Sequence, residues 1–216
     1  MLIIRYLDVS RCLLSFVYPL FLVLPTELRS RYFATVKQVR FIHKIIRVMK
    51  SIAIVYGSTT GNTKEVAEML KAELKDFEVS LFDVANRPFA ELAKFQNIIL
   101  GTSTWGAGDI QDDWELAIND LKATNLAGKV VALFGLGSAS GFADTFVDGM
   151  GTLYDAACET NCKLVGATSA EGYGHSSSTA VRDGKFVGLA IDHDNESNLT
   201  PSRIAEWVKA IAPEFV

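Results

Sequence analysis

The sequence predicts an α/β fold in which a parallel, doubly wound sheet is flanked by helices, and three observations predict it. Runs such as SIAIVY (51–56), NIILGTST (97–104) and KVVALFGLG (129–137) are largely apolar, the pattern of strands buried on both faces. Segments with helical spacing lie between them, and strands alternating with helices imply parallel pairing through crossovers. Three glycine-rich or polar loops, 57–63, 102–109 and 136–142, follow the first, third and fourth strands. Ligands in such sheets bind there, beyond the carboxyl ends of the strands and near the switch point.

Taken in chain order, SIAIVY is the first strand, and a helix over 62–75 follows the turn GSTTGNT. FEVSLFDV (77–84) is a second strand and NIILGTST a third, succeeded by the helix DDWELAINDLKA (112–123). KVVALFGLG is the fourth strand, and FADTFVDGMGTLYDAACETN (142–161) reads as one long helix. KLVGATS (163–169) and FVGLAID (186–192) are two strand pieces. PSRIAEWVKAIAPEF (201–215) closes the chain as a helix with Pro201 at its start, where a missing N–H costs nothing.

The turn GSTTGNT (57–63) has the first chemistry to explain. It opens a helix, where backbone N–H groups are unpaired and the dipole favours an anion. Gly57 and Gly61 are separated by three residues and followed by Asn62-Thr63, so neither a Walker loop nor a dinucleotide fingerprint is present. Four hydroxyls (Ser58, Thr59, Thr60, Thr63) and the Asn62 amide remain, a neutral donor set able to surround a terminal phosphate. The plainer alternative is an ordinary strand-to-helix turn with a Ser/Thr/Asn cap.

Composition is that of a globular chain, 49% apolar and 21% charged over 216 residues, enough for one domain with an appendage. Residues 1–48 hold eight Lys/Arg against two Asp/Glu, and 49–216 hold thirteen against twenty-three, giving net charges of +6 and −10. The basic part contains CLLSFVYPLFLVL (12–24), thirteen residues broken by Pro19, short for a spanning helix but suited to a signal core or an interfacial segment. No small-x-small cleavage site follows it, and Met49 directly precedes the first strand. Residues 1–48 therefore read as an over-extended start or a weakly structured tail, with membrane association or organelle targeting as the alternative; residues 49–216 read as the functional domain.

GSTTGNT, TSTWGAGDIQDDW (102–114) and GLGSASGFADTFVDGMG (135–151) together resemble the three FMN-binding loops of flavodoxins. The segment from Glu171 to Phe215 is similar to the C-terminal part of the long-chain class, in which an insertion of about twenty residues splits the fifth strand. The resemblance covers 49–216 and none of 1–48. It implies a five-stranded flavodoxin-like sheet with a split fifth strand. It also implies an FMN phosphate held by Ser58, Thr59, Thr60, Gly61, Asn62 and Thr63. The isoalloxazine would lie between Trp105 and Phe142, against Ser103, Thr104, Gly106, Gly108, Leu136, Gly137 and Ser138, with Asp194 near the flavin and ribityl edge.

Two departures accompany the resemblance. Phe142 stands where the family usually has Tyr, keeping the stacking surface without the hydroxyl, and Ser138-Ala139-Ser140 replaces a Gly-Asp type sequence. Gly106 matches a peptide that flips on one-electron reduction to offer its carbonyl to the flavin N5–H, which glycine makes cheap and which favours the neutral semiquinone. The phosphate loop has no Lys or Arg, with only Lys64 adjacent, and the domain is strongly acidic. Adding further negative charge to the flavin is thereby opposed by roughly a few kcal/mol per close charge, making the reduced form a strong reductant.

The implied function is a low-potential FMN electron carrier, working between a ferredoxin/flavodoxin reductase or similar basic-faced protein and acceptor enzymes through the semiquinone/hydroquinone couple. The alternative is an FMN-dependent NAD(P)H:quinone reductase-type enzyme, and a weaker third reading is a non-redox adaptor of the same fold. Neither a nicotinamide motif nor an acid/base pair beside the loops favours the enzyme. A cytoplasmic monomer that binds no nucleic acid is expected, with a membrane role only through 1–48.

The remaining candidates read as structural. Cys158 and Cys162 form no redox motif, and His43, His175 and His193 have no metal-ligand spacing. Trp114 and Trp207 fall on helical core positions. Asp109, Asp112, Asp113 and Glu115 form either a solvated helix start or a surface that steers a basic partner. The stretch 168–185 has the Gly/Ser-rich composition of an exposed partner-contact loop.

Overall fold

The computed structural model describes residues 51–216, so the expectations for 1–48 lie outside the described residues. The chain runs β1 (Ser51–Tyr56), α1 (Asn62–Glu73), β2 (Glu78–Asp83), two 3-10 turns over Val84–Asn86 and Pro88–Lys94, then β3 (Asn97–Trp105) and β4 (Asp109–Ile110). It continues with α2 (Asp112–Ala123), β5 (Val130–Gly137), α3 (Asp148–Cys158) and β6 (Lys163–Val165). After β7 (Thr168–Ser169), β8 (Val181–Arg182) and β9 (Lys185–Phe186) come β10 (Leu189–Asp192), the single turn α4 (His193–Glu196), α5 (Thr200–Ile211) and a last 3-10 turn over Ala212–Glu214.

The main sheet has the order β2-β1-β3-β5-β10, all parallel, and β6 also pairs with β5. Val130–Ala132 of β5 face Lys163–Val165, while Phe134–Gly137 face Leu189–Asp192. One edge of β5 is therefore served by two strand pieces from opposite ends of an insertion, which is the split fifth strand the sequence predicts. The insertion forms a three-stranded antiparallel sheet of its own, in the order β7-β9-β8. Between β9 and β10, Gly188 passes so close to β5 that a Cβ there would stand 2.3 Å from the Leu133 carbonyl oxygen. FVGLAID is thus two elements, Phe186 belonging to the insertion and Leu189–Asp192 to the main sheet.

Alternation along the strands sends side chains to two cores. Ala53, Val55, Ile98 and Leu100 meet Trp114, Leu121, Met150 and Leu153 of α2 and α3 on one face. On the other, Ile52, Ile54, Ile99, Ala132 and Phe134 meet Val66, Leu70, Ile204 and Trp207 of α1 and α5. Trp114 and Trp207 are core residues, as their spacing predicts; Trp114 Nε1–H donates to the Gly101 carbonyl at 2.7 Å and Trp207 Nε1–H to the Gly166 carbonyl at 2.7 Å.

The long helix over 142–161 is a correction. Only Asp148–Cys158 is α-helical, and residues 142–147 form turns. Helical spacing is present in those six residues, yet the Ala143 carbonyl accepts from Ser176 and Ser177 N–H, at 2.7 and 3.1 Å, and Val147 holds φ 52°. Long-range hydrogen bonds claim the groups that a helix would use. KLVGATS is likewise two elements, Lys163–Val165 in the main sheet and Thr168–Ser169 in the insertion, and β4, β8 and the 3-10 turns have no counterpart in the sequence reading.

Candidate functional site

The three loops at the carboxyl ends of β1, β3 and β5 surround an open cleft of about 440 Å³. Thr60, Asn62 and Thr63 line it from the first loop, and Ser103, Thr104, Trp105 and Gly106 from the second. Leu136, Gly137, Ser138 and Phe142 line it from the third, with Asp194 from α4. These are twelve of the sixteen residues singled out in the sequence.

The other four belong to the same loops but are not among the lining residues. Ser58 Oγ accepts from the Lys64 N–H at 3.3 Å, and Thr59 Oγ1 accepts from Gln111 Nε2–H at 3.3 Å. Gly61 caps α1 at φ 101° and has no side chain to accept the first-turn amides, of which the Lys64 N–H goes to Ser58 Oγ. Gly108 holds φ 111° in the turn after Trp105, where its N–H donates to the Trp105 carbonyl at 3.0 Å. Gly106, at φ 54°, shares that turn, and both values lie in the left-handed region that glycine enters without strain.

Two large aromatics are exposed at the cleft, Trp105 at 38% and Phe142 at 53%. An exposed aromatic pair on opposite loops of one concavity is unusual surface, because each ring forgoes the free energy of burial until something flat covers it. Ser103 Oγ accepts from Trp105 Nε1–H at 2.9 Å and fixes that ring's edge. No Lys or Arg is among the lining residues, while Asp194 is. The cleft thus offers hydroxyls and helix-start amides at one end and aromatic faces at the other, and it supplies no fixed cation to favour negative charge on an occupant.

Four residues that sequence reasoning missed complete the site. Asp192, 2% exposed, accepts from the Ala139 N–H at 3.1 Å through Oδ2, and from the Asn195 N–H and Nδ2–H at 3.2 and 2.7 Å through Oδ1. Asn195 in turn donates to Ser138 Oγ at 3.0 Å and accepts from the Ser140 hydroxyl at 2.6 Å. Ser138 and Ser140 therefore have a role that the departure from a Gly-Asp type sequence left open: they tie the third loop to α4. Gln111, 1% exposed, caps α2 by accepting from the Trp114 N–H and also donates to Thr59 Oγ1, joining the first two loops. His193 lines the cleft with its Nδ1 buried and unpartnered. Asp192, an N-cap residue at the end of an apolar strand run, was the available signal, but nothing local reveals its partner at Ala139.

Away from the cleft, Phe146 packs against Tyr173, His175 and Phe186 of the insertion at ring separations of 5.5, 5.7 and 5.8 Å. Tyr173 donates to the Ala190 carbonyl at 2.8 Å, and burial pushes its phenol pKa up. Asp109, Asp112 and Glu115 lie exposed at or before the start of α2, and Leu116 projects among them at 69% exposure. Cys158 and Cys162 are free thiols. Among the described residues no group of His, Cys, Asp and Glu is arranged to hold a metal.

The Flavodoxin family model matches residues 54–207. A flavodoxin of Picosynechococcus sp. is 44% identical over 168 residues, covering 77% of this chain and 99% of that protein. Flavodoxin 1 of Azotobacter vinelandii is 37% identical over 172 residues, covering 78% of this chain and 99% of that protein. Among solved structures, Fusobacterium nucleatum flavodoxin bound to flavin mononucleotide superposes with a TM-score of 0.74 at 35% identity, over 77% of this chain and 99% of that one. Sheet order, the loops at the cleft and these matches agree, and the chain belongs to the flavodoxin family.

Proposed function

We propose that this protein is an FMN-dependent one-electron carrier, working at low potential between a reductase of the ferredoxin/flavodoxin type, or a similar basic-faced donor, and acceptor redox enzymes. The observation that carries the reading is the pairing of Trp105 and Phe142 across a cleft that has no Lys or Arg in its lining and whose far end is a hydroxyl-lined helix start. The donor set fits the cofactor: a phosphate matches the Thr60, Asn62 and Thr63 end at the N-terminus of α1, and a planar ring matches the two exposed aromatics. FMN supplies the redox chemistry, because its ring system takes up and releases electrons singly.

The chain's own residues do the rest. Ser58, Thr59, Thr60, Gly61, Asn62 and Thr63 hold the phosphate, and Trp105 and Phe142 cover the ring faces and exclude water. Backbone groups of Ser103–Gly108 and Leu136–Ser138 address the ring edge, with Gly106 free to reorient its peptide. Asp194 and the absence of lining cations disfavour added negative charge, which keeps the carrier a strong reductant.

The family's members are electron-transfer proteins rather than enzymes, and a quinone reductase-type activity is not favoured. Asp109, Asp112 and Glu115, exposed beside the cleft, suit a basic docking face, and association should weaken as salt rises. We take the domain to be 49–216, monomeric and cytoplasmic, without nucleic-acid binding, and 1–48 to be an appendage outside it. Among the described residues no helix is long and apolar enough to cross a membrane.

Anaerobic stepwise reduction of the purified protein, with the released cofactor identified by mass, tests the proposal. Bound FMN that accumulates a one-electron stage, with the last electron hard to add, is the expected result. Direct two-electron bleaching by NADPH without a reductase would favour the enzyme instead.

A further inference from the structure

Hydrogen bonds from the insertion converge on the segment that carries Phe142. The Ser176 and Ser177 N–H groups donate to the Ala143 carbonyl, and the Ser178 hydroxyl donates to the Phe146 carbonyl at 2.5 Å. One residue on, the Thr179 N–H donates to Asp148 Oδ1 at 2.7 Å. Asp148 is 8% exposed and is the first residue of α3, directly after Val147 with its φ of 52°. A β-branched residue in that region is costly and persists only where its surroundings enforce it.

On its other side, Asp148 Oδ2 lies 3.0 Å from where a Cβ on Gly108 would stand, so the Gly106–Gly108 turn rests against the carboxylate. The next amide, Gly149 N–H, donates to Thr104 Oγ1 at 3.1 Å. A single buried side chain therefore touches the insertion and the loop that bears Trp105, at the base of the segment that bears Phe142. These contacts lie on the ring side of the cleft and leave loop 57–63 out of the linkage.

Building on the FMN reading above, we infer that Asp148 is a positioning residue for the ring-binding half of the cleft. Through it the insertion sets where Phe142 and the Gly106–Gly108 turn stand, and so how tightly the flavin ring is held. The insertion thereby acts within its own chain, whatever its outer surface contacts.

Titration of the apoprotein with FMN and with riboflavin, which lacks the phosphate, tests this by the quenching of flavin fluorescence. Asp148→Ala is expected to weaken both by the same factor, about tenfold, the scale of one buried hydrogen bond to a charged group. Asp148→Asn, whose amide oxygen can still accept from Thr179, is expected to restore both. Ser178→Ala, a milder change that removes one hydroxyl donor, should weaken both roughly threefold. A loss confined to FMN, a lowered melting temperature with unchanged affinities, or equal losses in the Asn and Ala variants would overturn the proposal. If the unaltered protein binds neither flavin, the cofactor reading fails, and this inference with it.

Discussion

In loop 57–63 the hydrogen bond from the Lys64 N–H to Ser58 Oγ spans six residues, whereas in loop 136–142 the Ala139 N–H reaches Asp192, fifty-three residues away. The first loop is a strand end, a glycine and a helix start, all adjacent in sequence. The ring-side loops have local bonds as well, such as the Gly108 N–H to the Trp105 carbonyl and the Phe142 N–H to the Ser138 carbonyl, but they also lean on distant partners. Their groups are satisfied by Asn195, by Thr179 and, for Gly149, by Thr104, over separations of 57, 31 and 45 residues. The first end of the cleft thus has a local frame, joined to the rest by the Gly57 N–H to the Gly101 carbonyl and by Gln111 to Thr59, while the ring side is held in addition by β10 and the insertion. Long-range closure makes the ring side the more sensitive to distant substitutions.

The contrast can be broken most forcefully at Asp192. Asp192→Ala strands three donors, two of them backbone N–H groups, and should cost about 3 kcal/mol of apoprotein stability. Riboflavin affinity should fall by more than inorganic phosphate affinity; denaturant melts and parallel ligand titrations read both. Equal losses for the two ligands would show that the ends of the cleft are one cooperative unit. Trp105→Ala comes next, with an expected loss of about 2 kcal/mol in binding of FMN and riboflavin alike, the scale of one stacking contact. Because Trp105 is 38% exposed, apoprotein stability should barely change. The smallest effect belongs to Thr60→Ala at the phosphate end, about 1 kcal/mol on FMN and none on riboflavin, measured by the same titrations. A riboflavin loss there would contradict the division of labour between the ends.

Much of this organisation is legible in the sequence because burial periodicity is local. Apolar runs give the strands, 3.6-residue spacing gives the helices around Trp114 and Trp207, and eleven lining residues lie in the three loops that composition marks out, their roles and that of Asp194 being implied by the family resemblance. The sequence reading fails at 142–147, where helical spacing is overruled by hydrogen bonds from Ser176 and Ser177. It also assigns 168–185 to an exposed loop, although Ala180 is buried and Ser178 and Thr179 hydrogen-bond to Phe146 and Asp148. In both places the deciding partners are some thirty residues or more away, and no window on the chain contains them.

The sequence by itself determined the doubly wound sheet and the hydroxyl-rich helix start, since each depends on neighbours within a few residues and on the sign of their transfer free energy; the split strand was implied by the family resemblance. Only the tertiary structure decided which groups hold the aromatic loops: Asp192 beneath Ala139, Asp148 between Thr179 and Gly108, and Gln111 between Thr59 and α2. A buried hydrogen bond is fixed by where two distant segments meet, and that meeting is set by the packing of the whole sheet and its helices rather than by the residues on either side of the bond.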